Sequence, residues 1–234
     1  ELTVEKLIYL LWKPGNIIEA DWHHKLSHNL IPDLRTMAAN RFRLNLSDMD
    51  VAGAASMRMT NQPPLPDAIL SFWMSSANHR HAAEKKLLTV ASRIAGYSVC
   101  ESEPLPNTLY PAAEGERGFG MNHVVFLQAP DRLTREQWLE IWLDSHTKIA
   151  IDTQQNFGYR QNIVIRKLTG DAPHWDAIVE ENFPPEAIHD QNAFYRQGSQ
   201  EQLAENQKLM YQSCKRFIDF DKMGRLPTSE YNYN

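Results

Sequence analysis

Residues 133–150 read Leu133-Thr-Arg-Glu-Gln-Trp-Leu-Glu-Ile-Trp-Leu-Asp-Ser-His-Thr-Lys-Ile-Ala150, and this stretch predicts an amphipathic helix. Thr134 is a favourable N-cap residue, and Gln137 three positions later completes a capping box. The large apolar side chains from Trp138 onward recur with the period of a helix, which predicts one buried face. The helix is therefore signalled both by its start and by its periodicity.

Three side chains of this helix predict a binding pocket. Trp138, Trp142 and His146 are spaced by four residues and project from the same side. An imidazole titrates at about pH 6.5 when unperturbed, so His146 is the candidate residue for moving a proton at neutral pH. The alternative is a histidine at the edge of the core whose nitrogens are satisfied by backbone groups.

The motif Leu133-Thr-Arg-Glu-Gln-Trp, with Trp142 and His146, resembles the helix motif of the EthD family. The resemblance covers residues 119–234 and continues through three further pieces: Tyr159-Arg-Gln-Asn162, Asp176-Ala-Ile-Val179 and Arg216-Phe-Ile-Asp219. It implies a ferredoxin-like module, two of which pair their sheets into a dimeric α+β barrel. It also implies a small-molecule protein concerned with oxidative breakdown of ethers or tailoring of polyketide-like aromatics, in many relatives without a bound cofactor.

The chain also carries an internal repeat. Three pieces of the first half match pieces of the second: Leu26-Ser-His28 with Asp144-Ser-His146, Phe42-Arg-Leu-Asn-Leu46 with Tyr159-Arg-Gln-Asn-Ile163, and Asp67-Ala-Ile-Leu70 with Asp176-Ala-Ile-Val179. We therefore predict an α+β protein of two ferredoxin-like β-α-β-β-α-β repeats. The predicted divisions are a divergent N-terminal repeat over 1–103, a linker over 104–120 and an EthD-like repeat over 121–234.

Hydrophobic runs and turn residues place the elements of each repeat. Predicted strands cover 5–12, 40–46, 67–74, 97–103, 120–127, 159–165 and 174–181, with a late strand or tail after 216. Predicted helices cover about 17–34, 78–95, 134–155 and a segment ending near 215, with Gly96 as a helix terminator. Helices on one side of each sheet leave an apolar face that the other half covers, which closes an intrachain barrel.

Further candidate site residues lie in the second half. Tyr159, Gln161 and Asn162 could donate hydrogen bonds to a carbonyl or phenol oxygen, although strand alternation turns Asn162 to the opposite face. His123 on the first strand of this half is another candidate for the same pocket. The matched repeat assigns His28 to the position of His146, but His24 stands where a tryptophan is expected, so we place the working site in the second half.

Metal and thiol chemistry are not expected. His24 and His28 have the spacing of two ligands on one helix face, but a zinc site needs a third protein ligand, and the alternative is a solvated face. Cys100 and Cys214 stand far apart without Cys-x-x-Cys or Cys-x-x-His neighbours. Reduced thiols in a cytoplasmic protein are therefore expected.

Composition and missing motifs exclude several classes of function. The 234 residues are 42% hydrophobic and 23% charged with a net charge of −5, and the cations are scattered, so neither nucleic acid nor anionic membrane is an expected partner. The longest apolar run, over residues 7–12, is too short to span a membrane, and no secretory signal opens the chain. Nucleophile elbows and glycine-rich phosphate loops are absent.

Three hypotheses remain for a hydrophobic small-molecule ligand. The first is a cofactor-independent enzyme, of oxidoreductase or dehydratase/cyclase type, in which His146 moves a proton. The second is a binding protein without catalysis, or an accessory protein of an oxygenase. The third is a haem-binding barrel with a histidine as axial ligand. A homodimer in which each half pairs with another chain is the alternative to closure within one polypeptide.

Overall fold

The computed structural model describes residues 3–234. Its strands within this range are β1 (Glu5–Trp12), β2 (Asn40–Leu46), β3 (Met59–Thr60), β4 (Ala68–Met74), β5 (Arg93–Leu105), β6 (Met121–Leu127), β7 (Gly158–Lys167), β8 (Ala177–Phe183) and β9 (Met223–Tyr233). Its α-helices are α1 (Glu19–Lys25), α2 (Ile31–Arg35), α3 (His81–Leu87), α4 (Arg135–Leu139), α5 (Thr147–Thr153) and α6 (Gln200–Lys215). No helix in this range is both long enough and apolar enough for a membrane crossing.

Eight strands form a closed antiparallel barrel in the order β2-β4-β1-β5-β7-β8-β6-β9, and β9 pairs back with β2. The first four strands in this order come from residues 5–105 and the other four from residues 121–233. Both seams, β5–β7 and β2–β9, therefore join one half of the chain to the other. Closure leaves the eight strands without a free edge, and the fold is α+β with helices outside the barrel.

The predicted strands are all present, but the predicted helix over 78–95 is wrong. The structure has the short helix α3, and the strand β5 begins at Arg93 and passes through Gly96. A Cβ atom at Gly96 would lie 2.5 Å from the ring of Tyr9 on the neighbouring strand. The glycine is therefore required by close packing within the sheet, and it does not terminate a helix.

The segment between the predicted strands 40–46 and 67–74 contains an ordered 3₁₀ helix at Met49–Met57, followed by β3. This segment belongs to the first half in sequence but packs against the second half, because Val51, Ala54 and Met57 share a buried cluster with Phe183. The strand β3 then pairs with β9, with Met59 opposite Arg225. The first half thus supplies part of the wall around the second half's outer face.

The interior of the barrel is apolar at one end only, so the prediction of a wholly apolar shared core is wrong. The apolar end contains Ile8, Leu10, Trp12, Ile69, Tyr97, Phe126, Trp175, Ile178 and Leu226. The opposite end contains charged and amide side chains from both halves: Lys6, Arg43, Asn45, Asn122, Arg160, Asn162, Glu180 and Glu230. Side-chain alternation along each strand accounts for both sets, since the intervening residues face the helices.

The charged end of the barrel links the halves through hydrogen bonds. Lys6 donates to Glu101 and, at 2.8 Å, to Oδ1 of Asn162. Arg160 donates to Oε2 of Glu230 at 3.2 Å. Burial alone raises the pKa of Glu230, but the cations nearby, Arg160 first, bring it down to about 2. The Glu230 carboxylate is therefore ionised, and Glu180 of the second half pairs with Lys6 of the first at 3.5 Å.

Candidate functional site

A cavity of about 520 Å³ lies outside the barrel, between the second half's sheet and the helices that cover it. Its aromatic and aliphatic walls include Trp142, Phe194, Met210, Phe217 and Met223. Its polar lining includes His123, His146, Tyr159, Glu181 and Arg225. The predicted hollow therefore exists beside Trp142 and His146, but on the outer face of one sheet and not at the seam between the two sheets.

The helix that borders the cavity begins as its sequence predicts. The Thr134 hydroxyl accepts from the N–H of Gln137 at 3.2 Å, and the Gln137 side chain accepts from the N–H of Thr134 at 3.0 Å. The helix then widens into a π-helical segment over Glu140–His146, a feature often found at functional sites. Trp142 and His146 on this segment are 1% and 4% exposed, so both are buried against the cavity.

His146 is a neutral imidazole at neutral pH. Its Nδ1 lies 2.8 Å from Oγ of Ser213, and that hydroxyl also accepts from Arg216 at 2.8 Å. One ring nitrogen of a neutral imidazole donates a hydrogen bond and the other accepts one. Burial, assisted by Arg216, lowers the pKa of His146 to about 3. The sequence predicted the position of this residue, but its surroundings oppose the predicted gain of a proton.

Three polar side chains form one row across the outer face of the second half's sheet. Glu181 on β8 lies directly opposite His123 on β6 and directly opposite Tyr159 on β7. Neighbours of this kind have Cβ atoms about 5 Å apart. All three residues are buried and line the cavity. We call Tyr159, Glu181 and His123 the polar row.

Glu181 is the titratable centre of the polar row. Its side chain is 8% exposed, and burial raises its pKa to about 7 against the weaker effects of Asn156 and Arg225. Asn156 donates to Oε1 of Glu181 at 3.4 Å. A carboxyl group with this pKa is populated in both protonation states at neutral pH, as a general base requires. Sequence reasoning missed it, although a carboxylate pair, Glu180 and Glu181, inside a predicted strand was an available signal.

The other members of the polar row are held uncharged. Nε2 of His123 accepts from Nε of Arg225 at 3.1 Å, and burial, with Arg225 second, lowers the pKa of His123 well below its usual value. The hydroxyl of Tyr159 accepts from Nε1 of Trp142 at 3.3 Å. Burial raises the pKa of Tyr159 far above neutrality, so its hydroxyl keeps a proton to donate.

Four predicted site residues do not line the cavity. Trp138 packs behind Trp142, with ring centroids 5.2 Å apart, and its Nε1 donates to the carbonyl of Phe217. Gln161 is buried beside the helix and donates to Oγ1 of Thr147 at 2.6 Å. Two others, Asn162 inside the barrel and His28 on the first helix layer, are remote from the cavity.

The placement of His28 corrects the matched repeat in the first helix. Trp22 donates to the carbonyl of Val90 at 2.6 Å, just as Trp138 donates to the carbonyl of Phe217. Counting from these tryptophans along the buried stripe, Leu30 corresponds to His146, and both are buried. His28 lies off that stripe, stacked on His24 with centroids 4.2 Å apart.

Metal ligands and thiols do not add to the site. Within residues 3–234, no three His, Cys, Asp or Glu side chains are grouped as they would be around a metal ion. Cys100 and Cys214 are both free. Cys214 borders the cavity, where burial raises the pKa of its thiol to about 12, so it presents a neutral, unreactive group.

Comparison with solved structures supports the fold described above. An anthrone oxidase-like protein superposes with a TM-score of 0.55 at 9% identity, covering 99% of this chain and 94% of that chain. A putative monooxygenase from Lactobacillus acidophilus NCFM has a TM-score of 0.50 at 8% identity, covering 100% of this chain and 97% of that chain. No protein-family profile and no curated protein sequence matches.

These structural neighbours are dimeric α+β barrel proteins. The present chain shares their α+β class and their eight-stranded antiparallel barrel. At such low identities the likeness concerns the fold alone, so the function has to be argued from the cavity.

Proposed function

We propose that this chain is a cofactor-independent enzyme acting on an aromatic, polyketide-like molecule in the cavity, as the EthD resemblance of residues 119–234 implies. One observation carries the proposal: Glu181, a buried carboxyl with a pKa of about 7, lies between Tyr159 and His123 in an aromatic-walled cavity. Oxidase-like and monooxygenase-like names among the structural neighbours support the same class of reaction.

The chemistry begins with proton abstraction from carbon. The Glu181 carboxylate removes a proton from a carbon that is activated by a ring carbonyl, and the electron pair moves onto the carbonyl oxygen. Tyr159 and His146 each present a hydrogen that can be donated to that oxygen as its negative charge develops. His146 fills this role in the neutral tautomer whose Nε2 carries the hydrogen.

Dissolved dioxygen is the oxidant in the next step. For anthrone, the carbanion formed at the methylene group gives its electron pair to dioxygen, and the resulting peroxide anion takes the proton from Glu181 to become a hydroperoxide. The restored carboxylate then removes the remaining hydrogen of that carbon as the O–O bond breaks, and this proton passes to the leaving hydroxide as water. The second carbonyl forms, so that one anthrone and one dioxygen give one anthraquinone and one water.

We also propose that the two halves are ferredoxin-like repeats over 1–103 and 121–234, joined by 104–120. The strand orders support this division, since β5-β1-β4-β2 and β9-β6-β8-β7 are the same order of fourth, first, third and second strand. Equivalent aspartates support it too: Asp67 accepts from the N–H of Lys13, and Asp176 from the N–H of Ala129, both at 2.8 Å. Residues 1 and 2 of the first repeat lie outside the described range.

Anthrone oxidation tests the enzyme proposal. Dioxygen uptake, anthraquinone formation and deuterium exchange at the methylene group are followed for the wild type and for Glu181→Gln. We expect the variant to lose at least about 100-fold in exchange and oxidation, because it has no proton acceptor. Glu136→Gln, at an exposed position of α4, is the matched control and should behave as the wild type.

Two results would decide against this assignment. If Glu181→Gln exchanges deuterium at the wild-type rate, the base is another group. If the wild type binds anthrone tightly but catalyses neither exchange nor oxidation, the protein binds its ligand without turnover, as the binding or accessory hypothesis requires.

The haem hypothesis is tested by absorption spectroscopy. An axial histidine needs an unprotonated nitrogen directed at the iron and a protonated partner nitrogen that donates outward. Under the cofactor-independent proposal we expect no Soret shift when haem is added to the protein. A Soret shift that is lost in His146→Ala would favour the haem hypothesis instead.

A further inference from the structure

Arg225 is a cation without a counter-ion beside the cavity. Its half-buried side chain uses Nε to donate to His123 at 3.1 Å. No carboxylate in residues 3–234 lies within 4.0 Å of its guanidinium, and its two terminal nitrogens make no hydrogen bond within that range. A guanidinium group has five N–H donors, so four remain available.

The surroundings of Arg225 differ from those of Arg160, the arginine that is buried inside the barrel. Arg160 contacts Glu103 at 3.0 Å and Glu230 at 3.2 Å, so its charge is compensated inside the barrel. Arg225 has only the more distant Glu181, and burial lowers the pKa of its guanidinium. Desolvating a charge without a partner is costly, and an anion that enters the cavity would remove that cost.

Arg225 lies where its free N–H donors can reach a ligand in the cavity. The residue lines the cavity, held against β6 by its bond to His123 and against β3 by the pairing with Met59. It stands in the row next to the polar row, since both Arg225 and Val179 are register partners of Val125. A planar guanidinium fixed along one edge matches the two oxygens of a carboxylate, or a single ionised phenol oxygen.

We propose that the aromatic ligand of this cavity carries an anionic oxygen, a carboxylate or an ionised phenol, which binds Arg225 while the reacting carbon lies at Glu181. The position of the reacting carbon at Glu181 rests on the proposed function, but the inference itself concerns only how the ligand binds. Arg225 is therefore a substrate-orienting residue, distinct from the base.

The proposal is tested by measuring, with calorimetry, the affinity of the protein for three anthraquinones: the 2-carboxylate, the 2-carboxamide and the 2-hydroxy compound. They share one ring system and differ in the group offered to Arg225. We expect the carboxylate or the ionised hydroxy compound to bind the wild type about 10-fold more tightly than the carboxamide, as a charge-assisted bond would provide. In Arg225→Met that preference should fall to less than about 2-fold.

Control variants separate this proposal from the enzyme assignment. The carboxamide should bind Arg225→Met as it binds the wild type, which shows that the cavity is still folded. Arg166→Met, at an exposed position of β7, should keep the full preference.

Three outcomes would overturn the proposal: equal binding of the anions and the carboxamide by the wild type, a preference that survives in Arg225→Met, or no binding of either anion. None of these concerns turnover. A loss of anthrone oxidation in Glu181→Gln with no anion preference would thus leave the base assigned and Arg225 without its proposed role.

Discussion

The outer faces of the two halves carry corresponding rows of side chains with opposite chemistry. The row in the second half is His123, Glu181 and Tyr159, and the corresponding row in the first half is Leu7, Phe72 and Phe42. Leu7 faces Phe72 across β1 and β4 in the register in which His123 faces Glu181 across β6 and β8. Three side-chain differences thus separate an apolar layer from a titratable site on similar sheets.

The next row differs in volume. Tyr9 and Leu70 face each other in the first half, where Val125 and Val179 face each other in the second. Tyr9 stacks on Phe72 with centroids 5.6 Å apart, and its hydroxyl donates to Glu84 at 3.0 Å. The larger residues fill the layer between sheet and helices in the first half, whereas the valines leave room for the cavity in the second.

This comparison teaches that the two halves differ in the layer between each sheet and its helices, whereas the barrel interior is shared by both. The barrel interior needs both halves, since Lys6 of the first half bonds Glu180 of the second and Arg160 of the second half bonds Glu103 of the first. The layer between each sheet and its helices is built mostly from residues of its own half. The second half can therefore hold polar groups and a cavity in this layer, while the close packing of the first half stabilises the protein. Exchanging residues between the corresponding rows tests this view.

The largest effect is expected from moving the carboxyl group into the filled layer. Phe72→Glu should destabilise the protein by about 3–5 kcal/mol or prevent folding, because Phe72 is fully buried against the rings of Tyr9 and Phe42 and a carboxylate there would lose its hydration. The reciprocal Glu181→Phe should abolish anthrone exchange without a comparable loss of stability. Chemical denaturation measures both, and equal destabilisation by the two variants would contradict the comparison.

Truncating corresponding helix residues in the two halves should lower the free energy of unfolding by unequal amounts. Leu30→Ala leaves a void in a solid layer and should cost about 2–5 kcal/mol of unfolding free energy. His146→Ala enlarges an existing cavity and removes one hydrogen bond, so we expect a cost of about 1 kcal/mol. The difference between the two denaturation midpoints is the measurement, and a larger loss for His146→Ala would show that the second layer is not hollow.

The pH dependence of stability should report Glu181. Its pKa of about 7 in the native state exceeds the value of about 4.3 for an unfolded glutamate, so the native state binds the proton more tightly. This group's contribution is fully present below pH 4.3 and is lost as the pH rises through 7, by about 4 kcal/mol in total.

His146 works in the opposite direction below pH 6.5, since burial lowers its pKa to about 3, and the Glu181 effect must be isolated from it. The unfolding free energy of Glu181→Gln minus that of the wild type gives the required difference. It should increase between pH 5 and pH 8. A difference that stays flat over this interval would mean that Glu181 titrates as in an unfolded chain.

The smallest expected effect comes from enlarging one side chain in the row that contains Leu70 in the first half and Val179 in the second. Leu70→Trp should overpack the first layer and cost about 1–3 kcal/mol. Val179→Trp should be nearly neutral for stability, because the indole enters the cavity, and it should weaken binding of anthraquinones at least about 10-fold. Calorimetry of Val179→Trp provides the check, and unchanged affinity would place the ligand elsewhere.

Much of the fold could be predicted from local pattern. The capping box at Thr134 and Gln137 gave the start of the central helix, and alternating runs gave the strands. Gly96 shows where such reasoning fails, because a glycine after a helical pattern and a glycine beneath Tyr9 look alike in sequence. The difference depends on a residue almost ninety positions away.

The candidate site was only partly predictable. Trp142 and His146 have the helical spacing that marks a shared face, and Tyr159 begins the following strand, so they could be named from the sequence. Glu181 and Arg225 could not be joined to them, since neighbouring strands of a sheet can be distant in the chain. Likewise the neutral state of His146 depends on its burial and on Arg216, which follows the C-terminal end of α6.

By itself, the sequence determined the type and approximate position of most strands and of the central helix, because hydrophobic period and capping act over a few residues. The tertiary structure alone decided which layer is filled, which carboxyl group is left to titrate near neutrality and which arginine lacks a counter-ion. Those properties depend on burial and on charges from distant strands, and burial exists only after the barrel has closed.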